Sequence, residues 1–378
     1  MAEQIPITPQ LLRWARERAG LSREAAVEKF RNFVEWEEGR AFPTYPQLEQ
    51  ISDALKVPIA VFFFPEPPNV PAIQETFRTL PGAEYVRLPS QIRLLLRKAK
   101  ALQLNLAELT GERNPAERLI TRDLAFAPRV DIPLMAQEVR AYIGVSLQEQ
   151  QNWRDDDAAM KGWREALLRV GVFVFKDAFR VPEYSGFCLY DDTFPIIYAN
   201  NSCAKTRQMF TYFHELAHLL FHTSGIDTLT DEFVGHLSGD AKLIEVICNR
   251  FAAEFLLPEA EFEAVTAQHE PSEALAEQVA ARYHVSREVV FRRFLDRDLI
   301  EQRDYEQAVE RWNGQRRPAG PGGDHYWSKL AYLGRDYVEL ALQAYHQNRI
   351  DEDQLADYLD TKPKNLSTLE RYFERGAA

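Results

Sequence analysis

A chain of 378 residues has room for two or three domains, and 46% hydrophobic with 27% charged residues is the composition of an ordinary globular protein. Its net charge of −12 excludes a broad electrostatic grip on nucleic acid, though not one local basic face. No apolar run reaches membrane-spanning length and the first residues lack a signal-peptide pattern. With three cysteines, odd in number and outside any Cys-x-x-Cys pair, a reducing cytoplasmic location without a membrane partner is expected.

Residues 1–64 read as a small helical bundle. Thr8 caps a helix from Pro9 to Ala19, with Leu11, Leu12 and Ala15 on one face and Gly20 ending it. Ser22 caps a second helix, Arg23 to Phe30. The cluster Val34-Glu-Trp-Glu-Glu-Gly-Arg40 follows, then a helix from about Pro46 to Leu55 and an apolar close, Val57 to Phe64. The unit resembles the Xre-type helix-turn-helix of phage repressors through Ala15-Arg16, Leu21-Ser22, Trp36-Glu37-Glu38-Gly39, Pro43-Thr44, Leu48 and Leu55. The stretch Arg31 to Val34 is short by about one helical turn where a repressor begins its base-reading helix. That helix also carries Glu35, Glu37 and Glu38, which would face phosphates. Arg31, Asn32 and Arg40 are the candidate DNA contacts; docking on protein is the equal alternative.

A proline-rich linker, 65–76, leads into a mixed domain expected over 77–312. Gln91 to Leu109 repeats Leu94, Leu95, Ala99, Leu102 and Leu106 at helical spacing, and three more helices run from Leu134 to Val170. Trp153 and Trp163 are most simply core. Three β-patterned runs come next: Val172–Phe175, Gly186–Tyr190 and Pro195–Ala199.

The apolar run Phe210 to Phe221 reads as a buried helix and contains His214-Glu-Leu-Ala-His218. Positions i and i+4 share a helix face, so both imidazoles can reach one metal ion, and Glu215 projects beside it to take a proton from bound water. This is the constellation of a zinc hydrolase, most often a peptidase. A third ligand is needed. Glu245 and, one turn later, Asn249 lie on the helix from Leu243 that ends at Pro258; Glu245 would ligate while Asn249 supports a ligand, with Glu254 as the competing candidate. Ser224 stands where a metzincin has its third histidine, which excludes that class. His222 lies about 12 Å along the helix from His214, too far for the same ion. Tyr212, Tyr198 and His236 are candidate donors to the oxyanion. Cys203, eleven residues before His214, is a candidate fourth ligand that silences the site until displaced.

A small sheet followed by an HExxH helix is a gluzincin-like framework. Together with Gly186-Phe187, Pro195-Ile196, Asn200, the Arg207-Gln-Met-Phe-Thr-Tyr-Phe approach and Phe251-Ala-Ala-Glu-Phe-Leu-Leu-Pro258, it looks like the ImmA/IrrE metallopeptidases over roughly Val172 to Leu299. The resemblance implies zinc held by His214, His218 and Glu245, with Glu215 as base. It also implies a helix-turn-helix repressor as substrate, cut once to switch on genes, and an Xre-like front end is a common fusion in that family. A regulator or antitoxin-like module, binding DNA, a repressor or an adjacent-gene toxin with little cleavage, is the alternative.

The segment Ala274 to Leu295 has the outline of a second helix-turn-helix, with a basic face of Arg287, Arg292, Arg293 and Arg297. The resemblance makes it an integral part of the peptidase. A flexible Gly/Pro-rich loop, 313–324, precedes a helical C-terminal region, 325–378, in which Leu340, Leu342 and Leu355 are expected in the core. The expected class is therefore α+β, mostly helical.

Overall fold

The computed structural model describes residues 4–55, 57–68, 88–127, 129–228, 239–314 and 324–376, and the chain packs as two compact units, Met1–Lys98 and Ala99–Ala378. The helix Ser90–Thr110 runs from the first into the second, so the division falls within a helix.

The first unit contains α1 (Pro9–Ala19), α2 (Arg23–Lys29), α3 (Phe33–Glu37), α4 (Tyr45–Leu55) and a 3₁₀ turn, Ile59–Phe63. Gly20 ends α1 in the left-handed region at φ 67°, and the Ser22 side chain accepts the Ala25 N–H to start α2. Leu11, Leu12, Phe33, Trp36, Leu48 and Phe62 belong to the core. Glu37 does not face outward with Glu35 and Glu38. It is buried, and its carboxylate accepts Arg16 Nε at 2.7 Å and Arg23 Nε at 3.0 Å, tying α3 to α1 and α2. Arg40, one candidate DNA contact, is paired with Glu38 and lies 3.8 Å from Glu35; Arg31 and Asn32 are exposed.

The second unit is mostly helical around a four-stranded sheet ordered β1-β3-β2-β4: β1 (Phe173–Asp177), β2 (Tyr184–Leu189), β3 (Ile196–Asn200) and β4 (Ile226–Thr228). β1 and β3 are parallel, while β2 is antiparallel to both β3 and β4. The fourth strand is an addition to the three expected. Strand alternation sorts the side chains. Cys188, Ile197 and Ala199 join the core beneath the HExxH helix, while Tyr198 stacks on Phe187 and Phe175 meets Tyr337 of the helix Arg335–His346.

The HExxH helix spans Lys205–Leu220 and packs on the helix Gly239–Leu256. Phe213 and Phe255 stack with centroids 4.1 Å apart, and the buried Trp163 closes edge-on at 4.8 Å from Phe213. Truncating any of the three to alanine would cost roughly 3–5 kcal/mol. This aromatic knot sets the distance between the two helices that carry the candidate ligands. Trp153 is only partly buried, edge-on to Trp163.

The helix-turn-helix outline is present as Glu273–Tyr283 and Arg287–Asp296, but Val279, Val290, Phe291 and Phe294 belong to the main core. Its basic face is neutralised. Arg293 and Arg297 pair with Glu259, Arg297 also with Glu263, Arg292 pairs with Asp296, and Arg287 lies over the Trp312 ring. In the C-terminal helices Leu342 and Leu355 are buried, whereas Leu340 is half-buried. No helix among the described residues is long and apolar enough to cross a membrane.

Candidate metal centre

His214 and His218 stand one turn apart on one face of the HExxH helix and are both buried. Their Nε2 atoms are 3.2 Å apart. Glu245 reaches across from its own helix, with Oε2 3.3 Å from His214 Nε2 and Oε1 3.2 Å from His218 Nε2. These three side chains form the described group that could hold a metal. Bonds of about 2.0–2.1 Å to zinc correspond to donor–donor edges of about 3.3–3.4 Å in a tetrahedron, so the spacing fits a small divalent ion.

Both imidazoles are oriented from behind. Asn249 Oδ1 lies 3.0 Å from His214 Nδ1 and Thr223 Oγ1 lies 3.4 Å from His218 Nδ1, each an acceptor for that N–H. The Thr223 hydroxyl itself donates to the His218 carbonyl at 3.1 Å. Occupying Nδ1 leaves each Nε2 lone pair free for a metal. Gly225 completes the fit, because a Cβ there would overlap the His218 ring.

The charges agree with this arrangement. Burial opposes ionisation of Glu245, but His218 and His214 outweigh it and hold the carboxyl well below its ordinary range. Burial works against a protonated His214, yet Asp227 and Glu245 prevail and raise its pKa. Glu215 is fully buried; among the described residues no N–H or O–H group reaches its carboxylate and the Cys188 thiol is its weak polar neighbour, and burial pushes its pKa up to about 8 against the counter-pull of His218. A buried carboxylate without a strong donor is costly and is retained where it has a chemical task.

The competing ligand is excluded by helical phase. Glu254 lies nine residues, two and a half turns, beyond Glu245 and so faces the other way. Its carboxylate accepts the Glu259 N–H and lies 3.6 Å from Arg293. His222 is exposed and hydrogen-bonds the Thr121 carbonyl.

The latch is not supported. The HExxH helix begins at Lys205 rather than Phe210, so Cys203 sits before its first turn, and nine residues of helix place His214 about 14 Å further along the axis. Cys203 is not in the metal-ligating group. Of the oxyanion candidates, Tyr198 is on the far face of the sheet, where its hydroxyl donates to Asp177 at 3.2 Å. Tyr212 is two residues before His214 and so on the opposite side of the helix, near Arg164 and with Lys176 6.0 Å from its ring. His236 lies outside the described residues.

Sequence reasoning passed over Thr223, Gly225 and Asp227. All belong to the return from the HExxH helix into β4, a three-residue strand too short to show alternation. Asp227 is buried, its pKa lowered chiefly by Arg207 in opposition to burial. The Thr-Ser-Gly run after the helix was the available signal, being turn chemistry just beyond an HExxH.

Comparison with known proteins bears on this part of the chain. No curated protein matches. Residues 168–295 match the family model of peptidase M78, described as the IrrE N-terminal-like domain. That span, about a third of the chain, holds the sheet, the HExxH helix and Glu245, and it is similar to a family of metallopeptidases, hydrolases of the peptide bond.

Proposed function

We propose that the chain is a zinc-dependent endopeptidase that cuts a partner protein at one place and thereby regulates transcription or a stress or phage response. The observation that carries this reading is the meeting of His214, His218 and Glu245 at about 3.2–3.3 Å, with the fully buried Glu215 carboxylate next to His214 on the same helix. His214, His218 and Glu245 would hold the zinc, which supplies Lewis-acid activation of water and of the scissile carbonyl. Glu215 takes the proton from the attacking water and returns it to the leaving amine. Asn249 and Thr223 keep the two imidazoles neutral at Nε2 and fixed in direction.

A helix-turn-helix repressor, or a toxin encoded beside the gene, is the proposed substrate. The test incubates zinc-loaded protein with the product of each neighbouring gene and looks for one discrete cut, absent with Glu215→Gln. A tight complex with no cut, unchanged by Glu215→Gln, would instead support a binding module. The ion-paired α3 of the first unit favours protein over DNA as the partner of that unit. A shift assay over a range of salt, with Arg31 and Arg40 reversed to glutamate, tests DNA binding separately.

A further inference from the structure

The face of the HExxH helix that carries His218 and His214 continues toward the helix start with Thr211 and Arg207, at spacings of four, three and four residues. Arg207 is aimed by a buried anion. Its Nη2 donates to Asp227 Oδ1 at 2.7 Å, to Asp227 Oδ2 at 2.8 Å and to Ser185 Oγ at 2.9 Å. Asp227 is held in turn by the Ser185 hydroxyl at 2.6 Å and the Thr211 hydroxyl at 2.9 Å. Every hydrogen bond of the guanidinium to the described residues leaves from Nη2, and the side chain stays 28% exposed. Half-buried Phe210 makes the surface continuous, 5.0 Å from the guanidinium and 6.4 Å, ring to ring, from His214. Beside this stripe lies β4, an edge strand among the described residues.

The geometry points to Arg207 as a specificity-determining residue for the peptidase reaction, and the inference rests on that reading. Its Nη1, which makes no hydrogen bond to the described residues, takes a carboxylate of the bound peptide, either an Asp or Glu side chain or a chain-terminal carboxylate. Seven helical residues separate Arg207 from His214 by about 10 Å along the axis. That is the span of about three residues of extended peptide. The acidic residue therefore stands about three positions from the bond that is cut. Asp227 is the positioning residue: it holds the guanidinium in one direction, so that a charge-assisted hydrogen bond forms without ordering a free side chain. Losing such a bond corresponds to roughly a tenfold or greater loss of binding.

The test is a selection of peptides from a random displayed library by full-length, zinc-loaded Glu215→Gln protein, with the metal-free protein as background. Expected is a tenfold or greater enrichment of Asp or Glu at one fixed position. Adding Arg207→Gln should abolish it and Arg207→Lys should keep part of it, while preferences at other positions persist in both. A merely structural role would weaken capture of all peptides alike. Zinc-dependent capture without an acidic preference overturns the inference, as does a preference that survives Arg207→Gln. Capture of nothing above background overturns it too; only if the wild-type protein also fails to cut any neighbouring gene product does the peptidase reading fall with it.

Discussion

Asn249 Oδ1 lies 3.0 Å from Nδ1 of His214, so the helix that supplies Glu245 also fixes the orientation of a histidine on the other helix. One turn of helix separates the two roles, and the pair binds both ligand-bearing elements into one site. Asn249→Ala should weaken zinc binding about 10- to 100-fold while leaving the fold intact. Competition with a chromogenic chelator measures this, and Asn249→Asp, which keeps an acceptor, should restore most of the affinity.

Glu245→Ala and Glu254→Ala should behave in opposite ways. The first removes the carboxylate that meets both imidazoles, and tight metal binding should go with it. The second should leave zinc affinity within about twofold and lower stability by roughly 1 kcal/mol, because the half-buried Glu259 N–H and Arg293 lose a partner. Metal content after dialysis and thermal melts separate the two. Zinc loss with Glu254→Ala and not with Glu245→Ala would reverse the assignment.

The contribution of Glu215 to the stability of the metal-free protein should fall as pH rises from about 4.5 to about 8. Glu215 titrates near 8 when folded because burial disfavours its charge, and near 4.5 when unfolded. Between these values the folded state binds more protons, so unfolding free energy falls with pH. Glu215→Gln should flatten that slope and be more stable than the parent above pH 8, by a few kcal/mol in order of magnitude. Urea titrations of both metal-free proteins across this range check the sign.

Lys176 predicts the opposite slope. Its ammonium is buried on β1 beside Met160 Sδ at 3.0 Å, and burial lowers its pKa to about 7, with Arg164 adding to the effect. Between about 7 and the unfolded value of 10.5 the unfolded state binds more protons, so this residue's contribution to stability rises with pH. Lys176→Met should remove that slope and stabilise the protein most at pH 6, where a charged lysine is buried in the fold. A gain of about 2 kcal/mol would raise the melting temperature by roughly 4–8 °C.

Glu37→Gln should destabilise the first unit by roughly 3–5 kcal/mol, because Arg16, with its side chain 13% exposed, would lose its buried counter-charge. The step of the first unit in a calorimetric trace of the full chain should shift down while zinc affinity stays unchanged. An unaltered trace would show that the clamp between α1, α2 and α3 contributes little.

The helical character of the chain, the HExxH helix and its two imidazoles were legible without coordinates because each depends on local repeats: spacing of apolar residues, capping residues, and the i, i+4 rule. The Glu245-Asn249 pair was legible for the same reason. Which carboxylate meets the imidazoles was decided in the tertiary structure, by the stacking of Phe213 on Phe255 that sets how the two helices face each other. Tyr198 and Tyr212 are near His214 in sequence, but sheet alternation and helical phase turn both away from it. By sequence Glu37 is one of three groove-facing charges; packing turns it inward to close a buried clamp. The distance of Cys203 from the site is not legible locally, because the first turns of the helix that follows it are half-polar and their periodicity is weak, so the helix starts at Lys205, before the apolar run at Phe210. Local periodicity determines which side chains share a face; the docking of one face on another, where distant residues meet, is set by long-range packing that no single segment encodes.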